Sequence, residues 1–223
     1  MGDQKTSVYC NILNHSPRWE VIDLLMWKIV PSRLGGGKQY LQKFKDSWIQ
    51  HNKLSIRTAA INNNLPVELL AGVCWIEVGG DPNFIDRVAF EVRAFDWSGP
   101  DVVDKYLAVT NQPEKTSFGS VSMQVRTAAR TIGLDISNMT SAQMRMLSHC
   151  LEGDVYNIDV VATHLRQLAK YDNFPPPLNI EQVRIIGARY NRGIELSIEN
   201  IKKNTSYGDF IVKHWQRFSQ LVR

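Results

Sequence analysis

The chain has 223 residues, 43% of them apolar and 22% charged, with a net charge of +4 and a sequence pI of about 9.0. That composition excludes a disordered or fibrous chain and allows one sizeable domain, or one domain with a small extension. The mild basic excess would suit a polyanion such as nucleic acid, anionic lipid or bacterial cell wall. Lys and Arg are scattered among acids, however, so no nucleic-acid stripe is present.

The first sixteen residues, through Ser16, are polar and lack an apolar h-region, so they do not read as a secretory signal. The apolar stretch at 19–30 contains Glu20, Asp23 and Lys28 and is too short and too charged to span a membrane. Ser16-Pro17 predicts a helix start, with Ser as N-cap and Pro in the first turn; Val21, Leu24, Leu25 and Ile29 continue it to about residue 30. Pro31 and the run Gly35-Gly36-Gly37 predict a loop. Helices are expected over 38–51, carrying Tyr40, Leu41, Phe44, Trp48 and Ile49, and over 55–63. The chain to residue 50 reads as a helical N-terminal extension, and 51–223 as the main domain.

Leu65-Pro66 opens the most informative helix, predicted over 66–78 and stopped by Gly79-Gly80. Leu69, Leu70, Val73, Cys74, Trp75, Ile76 and Val78 make it apolar nearly all round, which predicts burial at the domain centre. Residues 81–113 are less regular and leave room for a short strand or hairpin. A helix is expected from 123 or 127 to Gly133, then others over 141–151, 157–171, 179–192 and 207–222. The run Pro175-Pro176-Pro177 is a stiff connector. The fold class is all-α.

Three cysteines, Cys10, Cys74 and Cys150, are odd in number and widely spaced with no CxxC pair. This argues against a disulfide framework and against a Cys metal site. Cys74 reads as a small buried residue. The five histidines show no ligand spacing, the Gly35-Gly36-Gly37-Lys38 run lacks the rest of a P-loop, and no GxSxG elbow is present. No metal or organic cofactor is implied.

Glu77 stands out chemically. It ends the apolar helix, beside Trp75 and Ile76 and before a glycine pair. A carboxyl in apolar surroundings favours its neutral form, and a protonated carboxyl near neutral pH can donate to a glycosidic oxygen. The competing reading is an ordinary helix-end Glu facing water.

The surrounding motifs bear on that choice. The segment Ala71-Gly72-Val73-Cys74-Trp75-Ile76-Glu77-Val78-Gly79-Gly80 resembles the catalytic helix end of lytic transglycosylases and goose-type lysozymes. Ser117-Phe118-Gly119-Ser120-Val121-Ser122-Met123-Gln124-Val125 is similar to their Ser/Gly-rich loop ending in Met-Gln. Tyr156-Asn157-Ile158 resembles their Asn-Ile helix start, and Ala188-Arg189-Tyr190-Asn191-Arg192-Gly193 their Ala-Tyr-Asn-x-Gly element. The resemblance spans 55–195. Val78 stands where Ser is usual after the acid, Val121-Ser122 where Gly-Leu is common, and Arg189 where a small residue is usual.

The resemblance implies a lysozyme-like helical domain that cuts peptidoglycan between N-acetylmuramic acid and N-acetylglucosamine, as a lytic transglycosylase or muramidase. Glu77 would be the general acid, then base. Gln124 would bond the sugar or hold the Glu77 carboxyl, Ser117 and Ser120 would lie near N-acetyl groups, and Tyr190 would face Glu77. Asn191 is grouped with these binding residues, though support of the helix end is its nearer role. One Glu suffices for transglycosylase chemistry, because the C6 hydroxyl of the substrate attacks; hydrolysis needs a second carboxylate, for which Asp81, Asp86, Glu91, Asp96 and Asp101 are candidates.

A lysozyme-like enzyme with this N-terminus suggests delivery by a non-Sec route into a bacterial periplasm. One setting is a type VI antibacterial effector with an immunity protein as partner; the other is a phage lysis or tail enzyme. The reading leans to the effector. The rival from another class is a non-catalytic wall-binding or partner-binding protein on the same fold.

Overall fold

A computed structural model describes residues 10, 16–79 and 117–223. The hairpin expected within 81–113 and the candidate carboxylates Asp81, Asp86, Glu91, Asp96 and Asp101 lie outside the described residues. The chain is mostly helical, as its patterning predicts. In chain order the helices are α1 (Val21–Lys28), α2 (Gly37–His51), α3 (Lys53–Asn62), α4 (Val67–Glu77), α5 (Val125–Thr131), α6 (Ser141–Leu151), α7 (Asp154–Tyr171), α8 (Ile180–Arg192), α9 (Ile198–Lys202), α10 (Ser206–Lys213) and α11 (Trp215–Leu221). Single 3₁₀ turns occupy Ser32–Leu34 and Ile136–Asn138, and strands β1 (Ser117–Phe118) and β2 (Met123–Gln124) pair antiparallel. No helix among the described residues is long and apolar enough to cross a membrane.

Several boundaries depart from the sequence reading, each for a local reason. The first helix begins at Val21 rather than at Pro17, because Glu20 and Asp23 form a reciprocal capping box there. The last predicted helix is two, α10 and α11, divided at His214. Gln124 closes the β2 strand and stands at the N-cap of α5.

The described residues fall into two compact units, each built from two stretches: those within 1–41 and 79–157, and those within 42–78 and 158–223. Residues 42–50 cluster with the second unit. In the first unit, the buried Trp19 meets the rings of Trp27 and Tyr40, each at 6.2 Å, and the Tyr40 hydroxyl donates to Asp23 at 2.6 Å. A disulfide joins Cys10 to Cys150, with Cα atoms 5.5 Å apart. This corrects the expectation from the cysteine count: the pair is 140 residues apart and the odd thiol, Cys74, is buried and free.

Two of the sequence motifs meet inside this first unit. The fully buried Asn157 accepts from the Val121 backbone N–H at 2.9 Å, so the start of α7 holds the Ser/Gly loop. Gly119 is required by that contact, since a Cβ there would lie 2.7 Å from Asn157 Cγ and 2.3 Å from the Leu151 carbonyl oxygen.

In the second unit, α4 is buried from Leu69 through Trp75, as its all-round apolarity predicts. Glycines set the approach of its neighbours. A Cβ on Gly72 would lie 2.8 Å from Ile211 of α10, and one on Gly208 of α10 would lie 2.2 Å from the Arg184 carbonyl oxygen of α8. A Cβ on Gly187 would in turn come within 2.8 Å of Gly208 Cα. Helices α4, α8 and α10 can therefore sit closer than side chains would permit.

Arg189, flagged as unusual beside Tyr190, has a structural role. It is 1% exposed and holds both Asp172 carboxyl oxygens, one through its Nη2 at 2.7 Å and the other through Nε. Its Nη1 donates to the Leu196 carbonyl at 2.9 Å. The end of α8 is thereby fixed to the end of α7 and to the connection before α9.

Candidate functional site

The site is built within the second unit around the last turn of α4. The apolar face that buries α4 carries the chain to Glu77, its final residue. Val78 then turns extended and Gly79 adopts φ +77°, a conformation that favours glycine, so the helix stops directly behind the carboxyl.

Tyr207, the second residue of α10, donates its hydroxyl to Glu77 Oε1 at 2.8 Å. Tyr190, near the end of α8, lies against Tyr207 with ring centroids 6.1 Å apart, and the His164 ring of α7 meets Tyr190 edge-on at 5.9 Å. The glycine contacts between α8 and α10, and between α10 and α4, bring these side chains to the end of α4.

Lys45 of α2 completes the group. It is 6% exposed, and its Nζ donates to the Trp75 carbonyl at 2.9 Å and the Ile76 carbonyl at 2.7 Å. These are among the last carbonyls of a helix, which have no intrahelical partner, and a cation there also opposes the helix dipole. At the same helix end, Trp75 Nε1 donates to Asp46 at 2.8 Å. Asp46 is in turn held by Arg217 at 2.8 and 2.9 Å, and the Trp75 ring stacks on Phe210 at 5.6 Å.

Burial raises the Glu77 carboxyl above the ordinary carboxylate value, against the Tyr207 hydrogen bond and the nearby Lys45 charge, which pull it down. Burial also lowers Lys45 from 10.5 to about 8, opposed by the charge of Glu77. Burial, with Glu77 beside them, drives the Tyr190 and Tyr207 phenols well above 10, so both remain hydrogen-bond donors. Burial takes His164 down to about 4, which keeps it neutral. The arrangement is a carboxyl with a raised proton affinity, one oxygen held by a phenol and one cation in reserve. Such a group can give up a proton and then take one back.

The other expected site residues fall as follows. Tyr190 is at the site, but the hydroxyl on Glu77 is that of Tyr207. Asn191 is exposed on the last turn of α8. Ser117, Ser120 and Gln124 belong to the first unit: Ser117 and Gln124 are register partners across β1 and β2, and Gln124 Oε1 accepts from Arg126 Nε at 2.7 Å. Among the described residues no group of three or more His, Cys, Asp or Glu side chains is placed to hold a metal ion.

The sequence reading missed Lys45 and Tyr207. A signal for Lys45 existed: Lys45, Trp48, Ile49 and Asn52 follow helical spacing and all four are buried, so Lys45 shares the core face of α2. Tyr207 had only the glycine that follows it.

The chain matches no family model, no curated protein and no solved structure.

Proposed function

We propose that this protein cleaves peptidoglycan glycan strands between N-acetylmuramic acid and N-acetylglucosamine, using a lysozyme-like helical domain with Glu77 as general acid and then base. The observation that carries the reading is the Glu77 carboxyl, which ends a buried helix, has its proton affinity raised by burial and accepts from Tyr207 on Oε1. With Oε1 engaged, the proton to be transferred sits on Oε2.

The chemistry balances with this one carboxyl. Glu77 protonates the glycosidic oxygen, the bond from the muramic C1 to that oxygen breaks, and N-acetylglucosamine leaves with its 4-hydroxyl restored. The muramic C6 hydroxyl attacks C1 and returns its proton to Glu77, giving a 1,6-anhydro product. Hydrolysis would put water in place of that hydroxyl and require a second carboxylate. By resemblance to the family loop, Ser117, Ser120 and Gln124 are offered as sugar-binding groups, and by resemblance to the Ala-Tyr-Asn-x-Gly element, Tyr190 and Asn191.

The Cys10–Cys150 disulfide supports action in an oxidising compartment. Together with a wall-cleaving activity, that fits an antibacterial effector acting in a rival's periplasm, guarded in the producer by an immunity protein; a phage lysis enzyme is the other setting. Toxicity in a test bacterium on periplasmic but not cytoplasmic expression is the expected behaviour.

A non-catalytic wall-binding role is the second reading. The half-buried Glu77–Tyr207 hydrogen bond is compatible with it, because a structural contact has the same form. Mass spectrometry of fragments released from purified peptidoglycan decides. Anhydro-muropeptides identify a lytic transglycosylase and reducing-end fragments a hydrolase. Sacculus binding without any fragment would remove the enzymatic reading.

A further inference from the structure

We infer that Lys45 is a positioning residue for Glu77: its ammonium pins the last carbonyls of α4 and offsets the negative charge that Glu77 acquires on giving up a proton. The inference deepens the proposed use of Glu77 as an acid and rests on it for its catalytic meaning.

The geometry is specific. Lys45 reaches from α2 to two successive carbonyls, Trp75 and Ile76, the two residues immediately before Glu77. Fixing both fixes the backbone from which the Glu77 side chain departs. A buried ammonium is costly, and here two carbonyl oxygens accept from it while the charge of Glu77 acts on it from nearby. The carbonyls themselves call for a hydrogen-bond donor rather than for a charge. What the charge adds is a stabilising term that appears only when Glu77 is ionised, which is the state produced by proton transfer to a leaving group.

The groups facing Glu77 from the described elements are few. Tyr207 of α10 donates to it, Tyr190 of α8 stands next to Tyr207, and Cys74 lies one turn back on α4. His164 of α7 lies behind Tyr190 and is neutral. Asp46 and Arg217 are engaged with each other and with Trp75. Lys45 is therefore the cation among these that acts on the Glu77 carboxyl, and burial sets Lys45 against it by lowering Lys45 to about 8.

The test uses three full-length variants. Lys45→Gln removes the charge and leaves a shorter side chain that carries a neutral donor, Lys45→Arg keeps the charge, and Lys45→Met removes both charge and donor. The Glu77 carboxyl is titrated by carbon NMR in each, assigned by its disappearance in Glu77→Gln. Removing a positive charge close to a carboxyl raises its pKa, so Lys45→Gln and Lys45→Met should raise that of Glu77 by about 1 unit or more. Lys45→Arg should hold it near the wild-type value. In peptidoglycan digestion, the alkaline limb of the rate profile should move upward in Lys45→Gln by the same amount and stay in place in Lys45→Arg. A Glu77 titration unchanged in Lys45→Gln overturns the inference, whatever the activity. If Lys45→Met fails to fold, Lys45→Gln and Lys45→Arg still decide. A shifted titration in a protein that releases no fragments upholds the Lys45–Glu77 coupling and removes only the peptidoglycan reading.

Discussion

Replacing Tyr207 by Phe removes one hydroxyl from the Glu77 carboxyl and keeps the ring that packs against Tyr190. The lost bond is 2.8 Å long and part-buried. A hydrogen bond to a charged group contributes about 1.5–3 kcal/mol. At about 1.4 kcal/mol per pKa unit, its removal should raise the Glu77 pKa by about 1 to 2 units. The sign follows from what the hydroxyl does: it donates, so it favours the carboxylate, and without it the proton is held harder. Glu77 already titrates above its unfolded value of 4.5. The fold thus gains stability from the bound proton below 4.5 and loses it as pH rises through the higher folded value. In Tyr207→Phe that window extends further upward. On the proposed role, in which the acid is protonated to act, the alkaline limb of kcat/KM should move to higher pH by about 1 to 2 units. The maximal rate should fall about tenfold or more, since the carboxylate left after proton transfer has lost its donor. Fragment release from sacculi, measured across pH, reads both. An alkaline limb and a maximal rate identical to wild type would refute the role given to Tyr207.

Three further predictions concern the frame around the site. Gly208→Ala places a Cβ 2.2 Å from the Arg184 carbonyl oxygen and must push α10 from α8; thermal unfolding should show a loss of about 1–3 kcal/mol, and Glu77 should lose its Tyr207 bond. Asp172→Ala leaves the buried Arg189 without its carboxylate, and denaturant unfolding should show about 3–5 kcal/mol of destabilisation, whereas an unchanged midpoint would mean that the pair is not buried as described. Thiol titration of the denatured, unreduced protein should find only Cys74, and reduction of Cys10–Cys150, which are separated by 140 residues, should cost up to about 5 kcal/mol of stability; finding three thiols would disprove the bridge.

Much of the helical frame was legible in the sequence because it depends on short-range signals. Helix α6 coincides with its expected span, and its start is explained by the Thr140 and Gln143 capping box. Asn179 and Gln182 do the same for α8. The burial of α4 followed from an apolar surface with no polar face, and the place of Glu77 at the end of that helix followed from the glycine pair behind it. What the sequence did not yield depends on contacts between distant residues. Cys10 and Cys150 look unrelated until the fold brings them together. Lys45 shares its helical spacing with buried Trp48 and Ile49, but its partner, a helix end thirty residues away, is not legible locally. Tyr207 reaches Glu77 because Gly208, Gly187 and Gly72 let three helices close up, and no local pattern announces such packing. Arg189 looked like a departure from a motif and is instead half of a buried ion pair with Asp172.

The central claim is that Glu77 is the acid of a glycan-cleaving enzyme. Glu77→Gln keeps the size and an acceptor for Tyr207 while removing the titratable proton, so the fold should survive. The decisive measurement is mass spectrometry of soluble fragments from purified peptidoglycan, with wild type and Glu77→Gln side by side and their unfolding midpoints matched. The account predicts muropeptides from the wild type and none from Glu77→Gln. Equal fragment release by both proteins, or release by neither, would contradict it.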